Sequence, residues 1–149
     1  MDEFIKLLDP SLNYVEHKIE DKKCIITVKS NRQEAICPLC GMTSSKTHSV
    51  YKKEFQDLPI QNNQVTILIM NRKMFCSNPE CSHKTFSERF DFIGYKARKT
   101  ERLLEKILNM SSRISSVSAS IMLKNDTAAV SKSTICRLIK KNVSGDSQK

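Results

Sequence analysis

The chain has 149 residues, 39% of them hydrophobic and 28% charged, with no tryptophan and a net charge of +9. That length suits one medium domain or two small ones. No apolar run is long enough to span a bilayer, and the stretch from Met1 to Pro10 is too acidic and too short for a signal peptide, so the expectation is a soluble, cytoplasmic protein with no membrane partner.

Charge is unevenly placed. Residues 1–95 carry 13 Lys/Arg against 12 Asp/Glu, whereas residues 96–149 carry 12 against 4. A basic last third on a near-neutral first part points to a polyanion partner there. A solvated basic helical face is the plainer reading of the same numbers.

In chain order, residues 2–9 predict a short helix, with Asp2 and Glu3 in the first turn, where the helix dipole favours acids, and Pro10 as its stop. Phe4, Leu7 and Leu8 form its apolar face. From Asn13 the pattern changes to strands. Tyr14 to Glu20 alternates imperfectly, Cys24 to Lys29 is rich in β-branched residues, and Asp21-Lys22-Lys23 between them predicts a tight turn. Cys24 lies inside the second strand with no close partner in sequence and reads as core.

Two cysteine knuckles follow, Cys37-Pro38-Leu39-Cys40-Gly41 and Cys76-Ser77-Asn78-Pro79-Glu80-Cys81. Each short spacing lets one backbone turn offer two sulfurs to one ion, and four thiolates suit a tetrahedral Zn²⁺. Pro38 stiffens the first turn, and Gly41 permits the positive φ such turns use. With Cys37, Cys40, Cys76 and Cys81 as ligands and no open position, the site reads as one structural zinc. A redox dithiol at Cys37 and Cys40 is the first alternative. It calls for a βαβ context and leaves Cys76 and Cys81 unused. Disulfides are the second, and they call for an oxidising compartment that nothing in the first residues indicates. His48 and His83 stand close enough in sequence to replace a cysteine, and both read as solvated.

Thr43 to Thr47 reads as a polar loop. His48 to Phe55 reads as a strand anchored by Val50 and Phe55 and ended by Gln56-Asp57-Leu58-Pro59. Asn62-Asn63 predicts a turn, and Val65 to Met70 is the strongest strand signal, running on to Phe75. A third short strand spans Lys84 to Phe90. Knuckle, strands, knuckle, strand is the order of a zinc ribbon, in which the metal staples a core too small to stand alone.

Gly94-Tyr95-Lys96 marks a boundary, after which the period becomes helical. Thr100 caps a helix over residues 101–110 with Leu103, Leu104, Ile107 and Leu108 on one face, and Ser111-Ser112 break it. Ile114, Val117, Ile121 and Met122 mark a second helix, with Ala119 and Ser120 small enough for close packing. Asn125-Asp126-Thr127 predicts a turn. Ser131 then caps a third helix through Lys141, whose apolar face is Ile135, Leu138 and Ile139 and whose polar face holds Lys132, Ser133, Thr134, Arg137, Lys140 and Lys141. Cys136 reads as a small packed residue. Three helices with a turn before a short basic last one resemble a helix-turn-helix, where the N-terminus of the last helix faces bases and phosphates. A three-helix bundle with a charged exterior is the alternative. The expected fold class is α+β: a short helix over residues 1–12, a β-rich zinc ribbon over 13–93, a three-helix helix-turn-helix domain over 97–142 and a disordered tail over 143–149.

Taken together, the first knuckle, His48, Asp57-Leu58-Pro59, Val65 to Met70, Arg72, the second knuckle with Phe75 before it, Thr85-Phe86-Ser87-Glu88-Arg89, Ala97-Arg98-Lys99-Thr100 and the segment from Val130-Ser131 to Leu138-Ile139 resemble the N-terminal part of bacterial insertion-sequence transposases of the ISL-three type. The resemblance spans residues 13–142 and implies a zinc ribbon, a helix-turn-helix and then a DDE-type catalytic domain. That last domain would begin shortly after Ile139, so the expectation for the sequence as far as Lys149 is no catalytic residue and no activity of its own, as in a truncated element, a separately encoded first half or a domain that kept only its DNA-binding role. The resemblance implies a nucleoid-associated protein that binds double-stranded DNA at terminal inverted repeats. Arg98, Lys99 and Arg102 are then expected on phosphates. Lys132, Ser133, Thr134 and Arg137 are expected at or near bases, with Ser131, Lys140 and Lys141 completing the DNA-facing set. A full-length transposase or a second copy is a further expected partner, and no small-molecule substrate is expected. The competing reading is a zinc-ribbon protein-interaction module with the basic helices as its docking surface.

Overall fold

The computed structural model describes residues 1–94, 96–113, 116–126 and 131–147. Tyr95, Ile114, Thr127, Val130, Gln148 and Lys149, which entered the sequence reading, lie outside the described residues.

The chain opens with helix α1 (Asp2–Leu8), then a hairpin of β1 (Leu12–Glu20) and β2 (Lys23–Ser30). Asp21 and Lys22 form its two-residue turn, with φ of 49° and 61°, the left-handed pair whose twist matches the strands it joins. Two-residue strands β3 (Ala35–Ile36) and β4 (Thr43–Ser44) pair around the first knuckle. The segment read as a polar loop therefore begins with a strand. A long hairpin follows, β5 (Thr47–Ile60) and β6 (Asn63–Phe75), and β7 (Thr85–Ser87) pairs with the end of β6. Three helices complete the chain: α2 (Glu101–Ser111), α3 (Ser116–Asp126) and α4 (Lys132–Ser147).

The main sheet has the order β1-β2-β6-β5, with β2 and β6 parallel and the other neighbours antiparallel. Cys24, Ile26 and Val28 of β2 stand opposite Val65, Ile67 and Ile69 of β6, and all six point to one buried face. Phe55 of β5, paired with Ile67, and Ile5, Leu12, Phe90 and Phe92 complete the same core. Burial raises the pKa of the Cys24 thiol, in keeping with its reading as core.

Several local expectations are corrected. β5 does not stop at Gln56: it runs through Pro59, which lies where the register shifts between Asp57 and Ile60. A bulge there spares the ladder the N–H that proline lacks. The turn residues are Gln61 and Asn62 (φ 48° and 64°), one position earlier than read. On α1, Ile5 is buried and Leu8 packs beside it, while Phe4 and Leu7 are 66% and 79% exposed. A helix of two turns docks by one i, i+3 pair only, and its other apolar residues rotate away.

A second core joins α2, α3 and α4 through Leu103, Ile107, Ala119, Leu123 and Ile135, with Leu58, Met110, Leu138 and Ile139 around it. Val117, Ile121 and Met122, read as the inward face of α3, are instead 49%, 59% and 47% exposed. Ala119 and Leu123 face inward because the small alanine lets the neighbouring helices approach. The helix includes Asn125 and Asp126, which were read as a turn, and α4 continues past Lys141 to Ser147 in place of a disordered tail. No proline interrupts either segment.

The helices are tied to the sheet at Asp57. Its buried carboxylate accepts from Thr100 Oγ1 at 2.7 Å and Arg102 Nε at 2.8 Å, and Arg102 Nη2 pairs with its second oxygen. Backbone bonds Gln56 N to Arg98 O (2.9 Å) and Thr100 N to Gln56 O (3.0 Å) lay residues 98–100 along the edge of β5. Thr100 also caps α2 by accepting from Leu103 N. Asp57→Ala is expected to cost about 2–3 kcal/mol in thermal unfolding, since charged hydrogen bonds are lost while Arg102, 41% exposed, regains water. A melting curve matching wild type would show that this link does not hold the two parts together.

Candidate metal centre and nucleic-acid interface

The first knuckle is built by local backbone bonds. Gly41 N donates to Cys37 O at 2.9 Å, Cys37 N donates to Met42 O at 2.9 Å, and Gly41 adopts φ +76°. Open space surrounds the position a Gly41 Cβ would take, so the glycine serves backbone conformation and not packing. The second knuckle is framed by Cys76 N to Lys84 O (2.8 Å) and Cys81 N to Asn78 O (3.2 Å). The turn of β6 into β7 brings it back over the first. Ala35, Met74 and Phe86 form the apolar base beneath.

As a result, the sulfurs of Cys37, Cys40, Cys76 and Cys81 all lie within 4.8 Å of one another. Cys40 and Cys76 are 3.5 Å apart, and Cys37 and Cys81 are 4.0 Å apart. Four sulfurs at about 2.3 Å from a tetrahedral zinc stand about 3.8 Å from each other. A disulfide would require about 2.05 Å, and all six cysteines are free thiols. The electrostatics agree. The Met42 N–H bonds to the Cys40 sulfur and, with the neighbouring thiols, lowers its pKa to about 7. At Cys76 the Asn78 N–H acts in the same direction, but burial and the adjoining cysteines prevail and push it up to about 12. Sulfurs this close cannot all ionise without a cation among them. The four cysteines are thus positioned to bind a metal ion.

Neither histidine joins them. His48 packs against Phe75 with ring centroids 4.9 Å apart and bonds to Ser49, and His83 bonds to Ser82. Both are exposed, as read.

The basic residues expected on DNA are placed apart from the metal lobe. Ser131 caps α4 by accepting from Thr134 N at 3.2 Å, and its hydroxyl meets that of Thr134 at 2.9 Å. Lys132, Ser133, Arg137, Lys140 and Lys141 are exposed, and Thr134 is half-buried. Ser133, Arg137 and Lys140 follow at i, i+4 and i+7, on the side opposite buried Ile135. Arg98 is exposed and Lys99 half-buried in the segment alongside β5, while Arg102 faces Asp57. Sequence reasoning missed Asp57 and Glu88 as buried anchors. Asp57 sits in a strand rich in polar residues and Glu88 just past β7, so neither carries a local signal of burial or of its partner.

A pair of knuckles on a long hairpin, with four convergent thiols over a small apolar base, defines a metal-binding ribbon. Over residues 33–85 the chain matches the family described as the zinc-finger of transposase IS204/IS1001/IS1096/IS1165, and all four cysteines fall inside that range. Comparison with curated proteins and with solved structures found no match. Among the described residues, no helix is long and apolar enough to cross a membrane.

Proposed function

We propose that this chain is the DNA-binding part of an insertion-sequence transposase, with one structural zinc in the ribbon and α4 as the helix that enters the major groove of a terminal inverted repeat. The observation that carries the reading is the basic stripe of a capped α4, turned away from the helical core, in a chain whose residues 33–85 match a transposase zinc-finger. Lys132, Ser133, Thr134 and Arg137 are its base-reading set, with Lys140 and Lys141 on flanking phosphates. Arg98 and Lys99 add phosphate contacts from the segment beside β5. Arg102 is directed to Asp57 and leaves that list. Cys37, Cys40, Cys76 and Cys81 would hold the zinc, which supplies the cross-link that fixes the lobe.

A second reading rests on the exposed Val117, Ile121 and Met122: the helices dock protein, such as a full-length transposase or another copy. Selection of bound fragments from sheared genomic DNA, with zinc-loaded protein at two salt concentrations, separates the two. Recovery of fragments sharing a short inverted repeat supports end recognition, and no retention at low salt overturns the DNA reading. Arg137→Ala is expected to relax sequence preference by about 1–3 kcal/mol at one position, if Arg137 reads a base edge. Unchanged discrimination in a competition titration would remove it from the readout.

A further inference from the structure

Between the metal lobe and the main core, the buried face of β5 and β6 opens into a groove of about 760 Å³. Tyr51 and Lys53 stand on this face opposite Asn71 and Ile69, and Lys73 stands opposite Ser49 and Ser87. Asn71 Nδ2 donates to the Tyr51 hydroxyl at 2.7 Å, and that hydroxyl donates to Ser87 Oγ at 3.0 Å. The relay ends on Ser87, which lines the groove. Lys53 lies with its amine 5.2 Å above the Phe55 ring, and Arg89 and Lys96 also line the groove. Of the two acids there, Glu88 is already paired with Arg72 and Arg32, leaving Asp91 against the cations.

This chemistry favours a phosphodiester backbone over unstacked bases. Phe55, Phe86 and Phe90 are buried, which leaves the 37%-exposed Tyr51 ring on the groove against four cations, Lys53, Lys73, Arg89 and Lys96. Lys53 precedes Asp57 by four strand residues, about 13 Å, so the groove lies along the same strand that anchors α2. We infer that this groove is a second DNA-contact surface, in which Lys53 and Lys73 hold the phosphates of duplex flanking the site read by α4. The inference rests on the DNA-binding reading and places the ribbon itself on the duplex.

The test uses the full chain, zinc-loaded, with a labelled mixed-sequence duplex titrated over a series of salt concentrations. The Lys53→Gln/Lys73→Gln double variant is expected to bind roughly ten- to sixtyfold more weakly near 0.1 M salt, with the slope of log K against log salt shallower by about 1.8, two phosphate contacts at about 0.9 each. The control is Lys23→Gln/Lys29→Gln, two exposed lysines on the opposite face of β2. It removes the same charge and is expected to leave the slope unchanged. Wild-type binding with an unaltered slope in the groove variant overturns the inference while leaving the DNA reading intact. So does an equal loss in the control, which would make the effect one of net charge alone. Tighter competition by single-stranded DNA than by duplex overturns the duplex assignment. Absence of wild-type binding to any duplex overturns both readings. Zinc content and circular dichroism of each variant establish that it is folded.

Discussion

Cys37→Ser is expected to abolish zinc binding and to unfold the lobe built on β3, β4 and β7, while the main sheet stays folded. Cys37 is buried at the centre of the lobe, and the apolar base beneath it comprises little beyond Ala35, Met74 and Phe86. Strands of two or three residues cannot hold a fold by their own ladders, so the proposed zinc is expected to supply the cross-link that the lobe needs. Apparent binding energies of structural zinc are about 10–16 kcal/mol, far more than such a base supplies. The main core draws on a separate set of residues around Ile26, Ile67 and Ile69 and does not need the knuckles. Metal analysis after dialysis should show zinc lost. Hydrogen exchange should show the Cys37, Phe75 and Cys76 amides unprotected and the β2–β6 ladder still slow. Cys136→Ser, outside the cluster, should keep its zinc. Retention of zinc and of lobe protection in Cys37→Ser would refute the ligand assignment.

The second large effect is expected at Glu88. Its carboxylate, 1% exposed, accepts from Ser30 Oγ at 2.6 Å and Arg72 Nε at 2.9 Å, with Arg32 Nη1 at 3.7 Å. Arg72 Nη2 goes on to the Arg32 carbonyl at 2.8 Å, and Arg32 Nη1 to the Arg89 carbonyl at 2.7 Å. The network binds the end of β2, the C-terminal part of β6 and the segment after β7 where the lobe meets the sheet. Glu88→Ala leaves Arg72 mostly buried without its counter-charge, a change that costs about 3–5 kcal/mol in comparable sites. For a chain of this length that is a fall in Tm of roughly 6–20 °C. Glu88→Gln keeps an acceptor for Ser30 and should cost less. Thermal unfolding of the three proteins measures the series. A Glu88→Ala protein that melts within about 2 °C of wild type would show that the arginines find water at no cost.

Sequence alone located the features that chemistry decides within a few residues. The cysteine spacings, the Gly41 turn, the Thr100 and Ser131 caps and the β-branched run from Val65 to Met70 depend only on neighbours. Boundaries slipped where a longer-range contact overrode local preference. Pro59 was read as a strand end, yet its bulge lets β5 continue to Ile60.

Tertiary structure decided what joins residues far apart. The parallel contact of β2 with β6 spans some forty residues of chain, and no periodicity specifies which strand a hydrophobic face will meet. Arg72, Glu88 and Asp57 were visible as letters in a pattern, but their ion pairs exist only because folding brings Glu88 to Ser30 and Arg72, and Asp57 to Thr100 and Arg102. The same holds for α1 and α3, whose apolar residues outnumber the places available to bury them. Packing selected Ile5, Ala119 and Leu123 and left Phe4, Leu7, Val117 and Ile121 outside. Local turns and caps are fixed by bonds within one segment, whereas burial and ion pairing are fixed by the geometry of segments that meet only in the folded chain.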